Sequence, residues 1–203
     1  MNPFYVLDGG IGAGKTTLGQ SLVAHGVNGQ SVIFLEEYSN PALLKVYIGN
    51  MKKYAFAFQL AMLIKRLEIY REARRLTDEG KLVFVDRSLE GDMAFFQLQR
   101  EMGNISAEEE EVYRATMAAD SKNWGSFVNI QLACTAELSL KRIGRRARQG
   151  ENSYTLDYLE KLAVSYEKST KNHLVIDWNP EHVVINGLLS AEQTSRFVEL
   201  VMG

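Results

Sequence analysis

Residues Gly9-Gly10-Ile11-Gly12-Ala13-Gly14-Lys15-Thr16 form a glycine-rich loop that ends in Lys-Thr. The glycines let successive backbone N–H groups, continuing to Thr17, turn toward one anion, and a helix starting there adds its positive dipole end. Lys15 is placed to reach the β- and γ-phosphates of a nucleoside triphosphate, and the Thr16 hydroxyl to ligate Mg²⁺. Three further groups carry chemistry. Leu35-Glu36-Glu37-Tyr38 offers a carboxylate that can take a proton from an attacking hydroxyl. Leu82-Val83-Phe84-Val85-Asp86-Arg87-Ser88 ends an apolar run on an acid and a cation. Asp86 suits Mg²⁺, directly or through water, and Arg87 suits charge on a transferred phosphoryl group. Residues 141–151 gather five basic side chains, Lys141, Arg142, Arg145, Arg146 and Arg148, and end on Glu151. A lid closing such arginines over a triphosphate would exclude water and stabilise charge that develops in transfer.

These residues need strands to deliver them and helices to leave from them. Strand-like runs recur at 4–7, 31–35, 82–85, 127–132 and 182–185, with helical patterns between. That alternation predicts an α/β fold with a central parallel five-stranded sheet and helices on both faces. Ligands in such sheets sit at the carboxyl ends of strands, where Glu36 and Asp86 fall. A long helix is expected over 54–79, with Phe56, Leu60, Leu63, Leu67 and Ile69 as its apolar stripe and Gly80 as its stop. Another is expected over 105–122, with Ser106 as N-cap and Glu109 completing a capping box. The run 108–111 reads as a solvated first turn favoured by the helix dipole.

The bulk numbers narrow the class. The chain has 203 residues, most simply one domain over 1–203, with 46% hydrophobic and 24% charged residues. A net charge of −2 gives no global case for nucleic acid or an anionic membrane as partner. The basic cluster lacks the aromatic interleaving of a nucleic-acid surface. Cys134 is the only cysteine, so no intrachain disulfide forms, and its apolar neighbours predict an inert thiol in a buried strand. The first strand starts almost at Met1, leaving no room for a leader, and the most apolar stretch, 55–64, is too short to span a bilayer. The expectation is a cytoplasmic protein.

In this order, the loop, the acidic strand end, Asp-Arg-Ser and the Arg-x-Arg-x-x-Glu segment resemble the deoxynucleoside kinase family, over residues 9 to about 162. The resemblance implies a P-loop kinase fold with an arginine-rich lid over about 144–152, ATP as donor, Mg²⁺ as metal, and a homodimer. It implies a Glu at the end of strand two as general base for a nucleoside 5′-hydroxyl. Glu36 matches best, with Glu37 leaving the register open by one residue. It implies that Gln59 reads the base edge, that Phe58 and Phe96 line and stack on the base, and that Tyr47 and Glu151 contact the sugar 3′-hydroxyl. Arg142, Arg146 and Arg148 match the family's lid arginines, while Arg145 has no counterpart. Arg66 and Asp92 match a pair found near the base in members that accept cytidine or purines, and lean the chain away from thymidine. Two departures stand out: Gly10 replaces the usual Asn, and Glu36-Glu37 replaces Glu-Pro.

The expected reaction is transfer of the γ-phosphoryl group of ATP to the 5′-hydroxyl of a deoxynucleoside. A thymidylate-type monophosphate kinase also carries Asp-Arg after its third strand, but two glutamates at the end of strand two would repel an acceptor phosphate. A non-catalytic nucleotide switch would need a guanine-reading Asn-Lys-x-Asp element, which the sequence lacks.

Overall fold

A computed structural model describes residues 2–146, 154–178 and 184–202. Strand β1 (Phe4–Asp8) feeds the glycine loop and helix α1 (Lys15–His25), and β2 (Val32–Leu35) follows. Helices α2 (Pro41–Gly49) and α3 (Met51–Asp78) lead to β3 (Leu82–Asp86). Next come α4 (Leu89–Glu101), α5 (Ala107–Asp120), β4 (Phe127–Ala133) and α6 (Ala136–Arg146). The chain continues through α7 (Leu156–Ser169), β5 (Leu174–Asp177), β6 (Val184–Ile185), β7 (Leu188–Leu189) and α8 (Ala191–Met202).

The main sheet has the order β2-β3-β1-β4-β5, with every pairing parallel. Side chains alternate across it. Phe4, Val6, Val83 and Val85 enter one core with Leu63, Leu67 and Tyr70 of α3. Leu7, Phe84, Ile130 and Leu132 enter the opposite core with Leu18 and Leu22 of α1 and Phe197 of α8. Gly19 lets α1 approach β2 closely, because a β-carbon there would lie 2.3 Å from the Phe34 ring.

The fifth strand of this sheet is β5, not the predicted 182–185 run. Val184–Ile185 pairs antiparallel with Leu188–Leu189 in a separate hairpin. The run Leu174-Val175-Ile176 pairs with β4 instead. Helix α3 is capped by the Asn50 side chain, which accepts from Lys53 N at 3.1 Å. Its buried stripe is Ala55, Gln59, Leu63, Arg66, Leu67, Tyr70, Ala73, Arg74 and Thr77. The stripe is therefore rotated from the apolar-only expectation: Phe56, Leu60 and Ile69 flank it, and polar Gln59 and Arg66 lie inside. Gly80 takes φ 80° and ends the helix as expected, donating to Thr77 O at 2.9 Å. The Ser106–Glu109 capping box forms at the start of α5. Cys134 is half-buried just past the end of β4, where its Sγ lies 3.4 Å from both Ser139 Oγ and Arg142 Nη1. It is thus not the buried strand thiol that its neighbours suggested.

Candidate active site

The loop leaves β1 through Gly9 at φ 134°, and a β-carbon there would sit 2.7 Å from Leu132 O. Gly12 is also constrained: its φ is 78°, and an added β-carbon would meet Ser139 O at 2.8 Å. Gly10 has open space beside it, Ile11 packs against the cluster of Ala94, Leu98, Leu162 and Tyr166, and Ala13 is buried. Gly14 caps α1, so the amides of Lys15, Thr16 and Thr17 belong to a free first turn. Lys15 Nζ donates to Gly9 O at 2.8 Å and Gly10 O at 3.0 Å. Burial, aided by the Arg87 charge, lowers the Lys15 ammonium to about 8.

Thr16 Oγ1 donates to Asp86 Oδ2 at 3.0 Å. Asp86 Oδ1 is buried with no hydrogen-bond partner among the described residues. Burial pushes the Asp86 carboxyl above the usual carboxylate range, with Lys15 working against that shift. A cation near Oδ1 would satisfy the orphan oxygen and restore the charge. The hydroxyl and carboxylate are hard oxygen donors of the kind Mg²⁺ takes, beside phosphates and water. No group of three or more His, Cys, Asp or Glu side chains suited to a metal occurs among the described residues. A phosphate-borne Mg²⁺ needs only one or two protein ligands, so the residues fit.

The two glutamates after β2 part company. Glu36 is exposed and accepts from Gln20 Nε2 of α1 at 2.9 Å, away from Arg87. Glu37 turns the other way: its Oε1 accepts from Arg66 Nη2 at 2.6 Å and from Arg87 Nε at 2.8 Å. Burial opposes its charge, but Arg87 and Arg66 together outweigh burial and hold the Glu37 carboxyl well below the usual range. Of the two glutamates between which the register was left open, Glu37 is the one that reaches Arg66 and Arg87. Continuing the alternation of β2 would have shown it, since Ile33 and Leu35 face the α3 side and Phe34 faces α1.

Arg87 sits at φ 75°, unusual for a side chain of its size, with its N–H bonded to Leu7 O at 2.8 Å. Its Nη1 donates to Tyr166 Oη at 2.5 Å, and its guanidinium lies 4.6 Å over the Phe95 ring. Arg66, 1% exposed, grips Asp92 with Nε and Nη2 at 2.8 and 3.0 Å and donates from Nη1 to Asp86 O at 2.7 Å. The expected Arg66–Asp92 pair thus forms, and Arg66 also joins Glu37 and the end of β3 into one network.

Toward α2, Tyr47 stacks on Phe58 with centroids 4.4 Å apart. Gln59 is buried on the same face of α3 as Arg66, two turns away. Phe96 is fully buried and stacks on Tyr113 at 4.1 Å, so it backs this region from within the core. Arg142 donates to Ala13 O at 3.0 Å and Trp178 O at 3.2 Å, which brings the start of the basic segment to the loop. Arg146 is the last residue of α6 and exposed. Arg148 and Glu151 lie outside the described residues, as does most of the expected lid. The sequence reading singled out neither Asp8 nor Tyr166. Asp8 Oδ1 accepts from Gly9 N at 2.7 Å and from Tyr166 Oη at 3.2 Å. For Asp8 the signal was an acid directly before the loop; Tyr166, on α7, gave none.

Comparison with known proteins agrees with this geometry. The deoxynucleoside kinase family model matches residues 5–198. A deoxyguanosine kinase of Lactobacillus johnsonii is 31% identical over 192 residues, covering 88% of this chain and 80% of the relative. A deoxyadenosine kinase of Lactobacillus acidophilus is 29% identical over 192 residues, covering 90% and 84%. In fold, the chain is similar to the deoxyadenosine kinase of M. mycoides with bound dATP, with a TM-score of 0.72, 21% identity and 96% of each chain covered. With the family model spanning nearly the whole chain that carries the loop, Asp86-Arg87-Ser88 and the Arg66 network, the chain belongs to the deoxynucleoside kinase family and is a kinase that phosphorylates nucleosides.

Proposed function

We propose that the chain transfers the γ-phosphoryl group of ATP, with Mg²⁺, to the 5′-hydroxyl of a purine deoxynucleoside or deoxycytidine in preference to thymidine, in nucleotide salvage. One observation carries this reading: Glu37, Arg87 and Arg66 form a single bonded network beside the loop lysine, whose charge acts on both Glu37 and Asp86. An uncharged sugar alcohol suits that place, since Glu37 can orient the hydroxyl and accept its proton. Lys15 and the amides of residues 9–17 hold the donor phosphates. Thr16 and Asp86 hold Mg²⁺, which supplies charge neutralisation between the phosphates when bound. Arg87, with Arg142, Arg146 and Arg148, stabilises charge on the moving group. Tyr47, Phe58, Gln59 and Phe96 shape the nucleoside side, and Glu151 completes the sugar contact. Phosphoryl transfer asks for positioning and electrostatics rather than covalent catalysis, which is what this network offers.

The purine preference is supported by the names of the relatives, which are deoxyguanosine and deoxyadenosine kinases. It is also supported by the Arg66–Asp92 pair, since the family's thymidine-preferring members usually carry apolar or small residues at these two positions. Among the described residues no helix is long and apolar enough to cross a membrane. A cytoplasmic homodimer acting alone on small molecules, as one domain, belongs to the same proposal and rests on the family pattern.

The test is a panel of the four deoxynucleosides and their monophosphates with labelled ATP. The expected result is 5′-phosphorylation of nucleosides, with kcat/KM for a purine deoxynucleoside or deoxycytidine at least about tenfold above thymidine. Thymidine leading the panel would overturn the preference; labelling only of monophosphates would overturn the reaction.

Lys15 adds a linkage prediction. Its ammonium is lowered to about 8 in the free protein, and a bound phosphate chain raises it again. Donor binding near pH 8 therefore takes up about half a proton, and affinity falls as pH rises further. Calorimetry in buffers of different ionisation enthalpy measures this; identical enthalpies in all buffers near pH 8 would show that donor binding does not reprotonate Lys15.

A further inference from the structure

The Arg87 guanidinium is supported from several sides. Glu37 holds its Nε, while its Nη1 bonds Tyr166 Oη at 2.5 Å and lies 3.4 Å from Gly9 O. The Phe95 ring lies 4.6 Å from the guanidinium carbon and packs edge-on against the Tyr166 ring, with centroids 6.0 Å apart. Nη2 is the one donor of this guanidinium nitrogen set with no bond among the described residues, and so the one left for a transferred group. The backbone of Arg87 sits at φ 75°, a conformation that a bulky residue keeps only where its neighbours enforce it.

Tyr166 comes from α7, and its hydroxyl is a buried junction. It accepts from Arg87 and has one proton to give, to Asp8 Oδ1 at 3.2 Å or to Gly9 O at 3.1 Å. Burial pushes the hydroxyl well above the usual tyrosine range, so that proton stays in place. Asp8 is fixed in turn, because its carboxylate accepts from Gly9 N and from Ser88 Oγ. A hydroxyl that donates to a fixed acceptor is itself a better acceptor for a guanidinium. Helix α7 is pinned at this level by Ser165 Oγ, which donates to Ala94 O of α4 at 2.7 Å. The Tyr166 side chain is buried among Ala94, Leu98 and Leu162 and has no room to swing away.

We propose that Tyr166 is a positioning residue of the phosphotransfer: with Phe95 packed on the same guanidinium, its hydroxyl fixes the plane of Arg87 so that Nη2 is aimed at the moving phosphoryl group. The role rests on the phosphotransfer proposed above. Tyr166 acts through Arg87 and not on the substrates themselves. Without the hydroxyl, Arg87 still pairs with Glu37 through Nε, but its far end loses its nearest partner and turns more freely. A donor that must be brought into place stabilises developing charge less than one already held there.

The test is a double-mutant cycle on the single-turnover rate, run on the wild type, Tyr166→Phe, Arg87→Met and the double variant. Tyr166→Phe keeps the ring and its packing on Phe95, and is expected to slow transfer about tenfold, the worth of one net hydrogen bond. Dissociation constants of nucleoside and donor should stay within about twofold of wild type, because the loss falls on the transition state. In the Arg87→Met background the same change should cost less than about twofold, since the group it acts through is gone. Losses that multiply, or a Tyr166→Phe rate equal to wild type, would overturn the proposal, because a purely structural loss does not depend on Arg87. If Tyr166→Phe does not fold, Phe95→Leu takes its place with the same expectation and the same contrary outcome. A second arm needs no substrate: nitrogen-15 NMR of the Arg87 Nε–H, assigned by its loss in Arg87→Lys. That proton is expected to exchange slowly with water in the wild type and faster in the hydroxyl or ring variant; equal exchange in both would also overturn the proposal. A wild type that labels no nucleoside would sink the function and leave this second result standing.

Discussion

Glu37→Gln is expected to lower the single-turnover rate of phosphoryl transfer by about 10²- to 10³-fold, while Glu36→Gln stays within about twofold of wild type. Gln keeps the shape and can still accept from Arg66 and Arg87, so the two guanidinium groups remain bonded and nucleoside affinity should change little. What is lost is the charge that, in the proposed mechanism, takes the hydroxyl proton. At first sight a carboxyl held so far below its usual range is a poor base. In a loose phosphoryl-transfer transition state the hydroxyl proton leaves late, when the attacking oxygen has become far more acidic. A fixed, always-charged acceptor then does more for the rate than a strongly basic one. The same depression sets a pH sign. Glu37 stabilises the fold above the ordinary carboxylate range, and that contribution is lost only as pH falls through its lowered value. No loss of rate near neutral pH should therefore trace to Glu37. Rapid-quench measurement on both variants decides the matter, and a slow Glu36→Gln beside a fast Glu37→Gln would reverse the assignment.

The contrast between these neighbours shows what the sequence carried and what it did not. The loop and Asp86-Arg87-Ser88 were legible because fixed spacing after a strand puts the groups together whatever the rest of the chain does, whereas the Arg66–Asp92 pair, which joins α3 to α4, was implied only by the family resemblance. The parallel five-stranded sheet followed from the alternation of apolar runs and helical patterns. The identity of the fifth strand did not, because Leu174-Val175-Ile176 is a short edge segment with Leu174 and Val175 largely exposed, and short apolar runs have little period to read. The buried face of α3 was misjudged for a related reason. A stripe drawn through apolar residues alone skips Gln59 and Arg66, the two polar groups that the site draws inward. Asp8 and Tyr166 come from β1 and α7, and only the closed fold brings them together.

Arg66→Met is expected to cost about 3–5 kcal/mol of stability, the range seen when one partner of a buried ion pair is removed. Arg66 has 1% exposure and four hydrogen bonds: two to Asp92, one to Glu37 and one to Asp86 O. Met fills much of the volume, so cavity formation is a minor part of the loss. The larger part is Asp92, left buried without the cation that opposes the effect of burial on its carboxyl. In a chain of this length the midpoint of thermal unfolding should fall by about 10 °C. Asp92→Asn should cost less, because the amide oxygen still accepts one of the two bonds and Arg66 keeps Glu37 as counter-charge. Combining Arg66→Met with Asp92→Leu should recover part of the loss, since a buried pair replaced by apolar groups of similar size is often close to neutral. Turnover should not recover with it. In the double variant Glu37 retains Arg87 as its only remaining guanidinium partner in this network and Asp86 O has lost its donor, so the base and the metal-side strand end are no longer held together. Urea unfolding of the three variants, with kcat measured on each, separates the two roles. A loss below about 1 kcal/mol for Arg66→Met, or full activity in the double variant, would show that Arg66 does not organise this site.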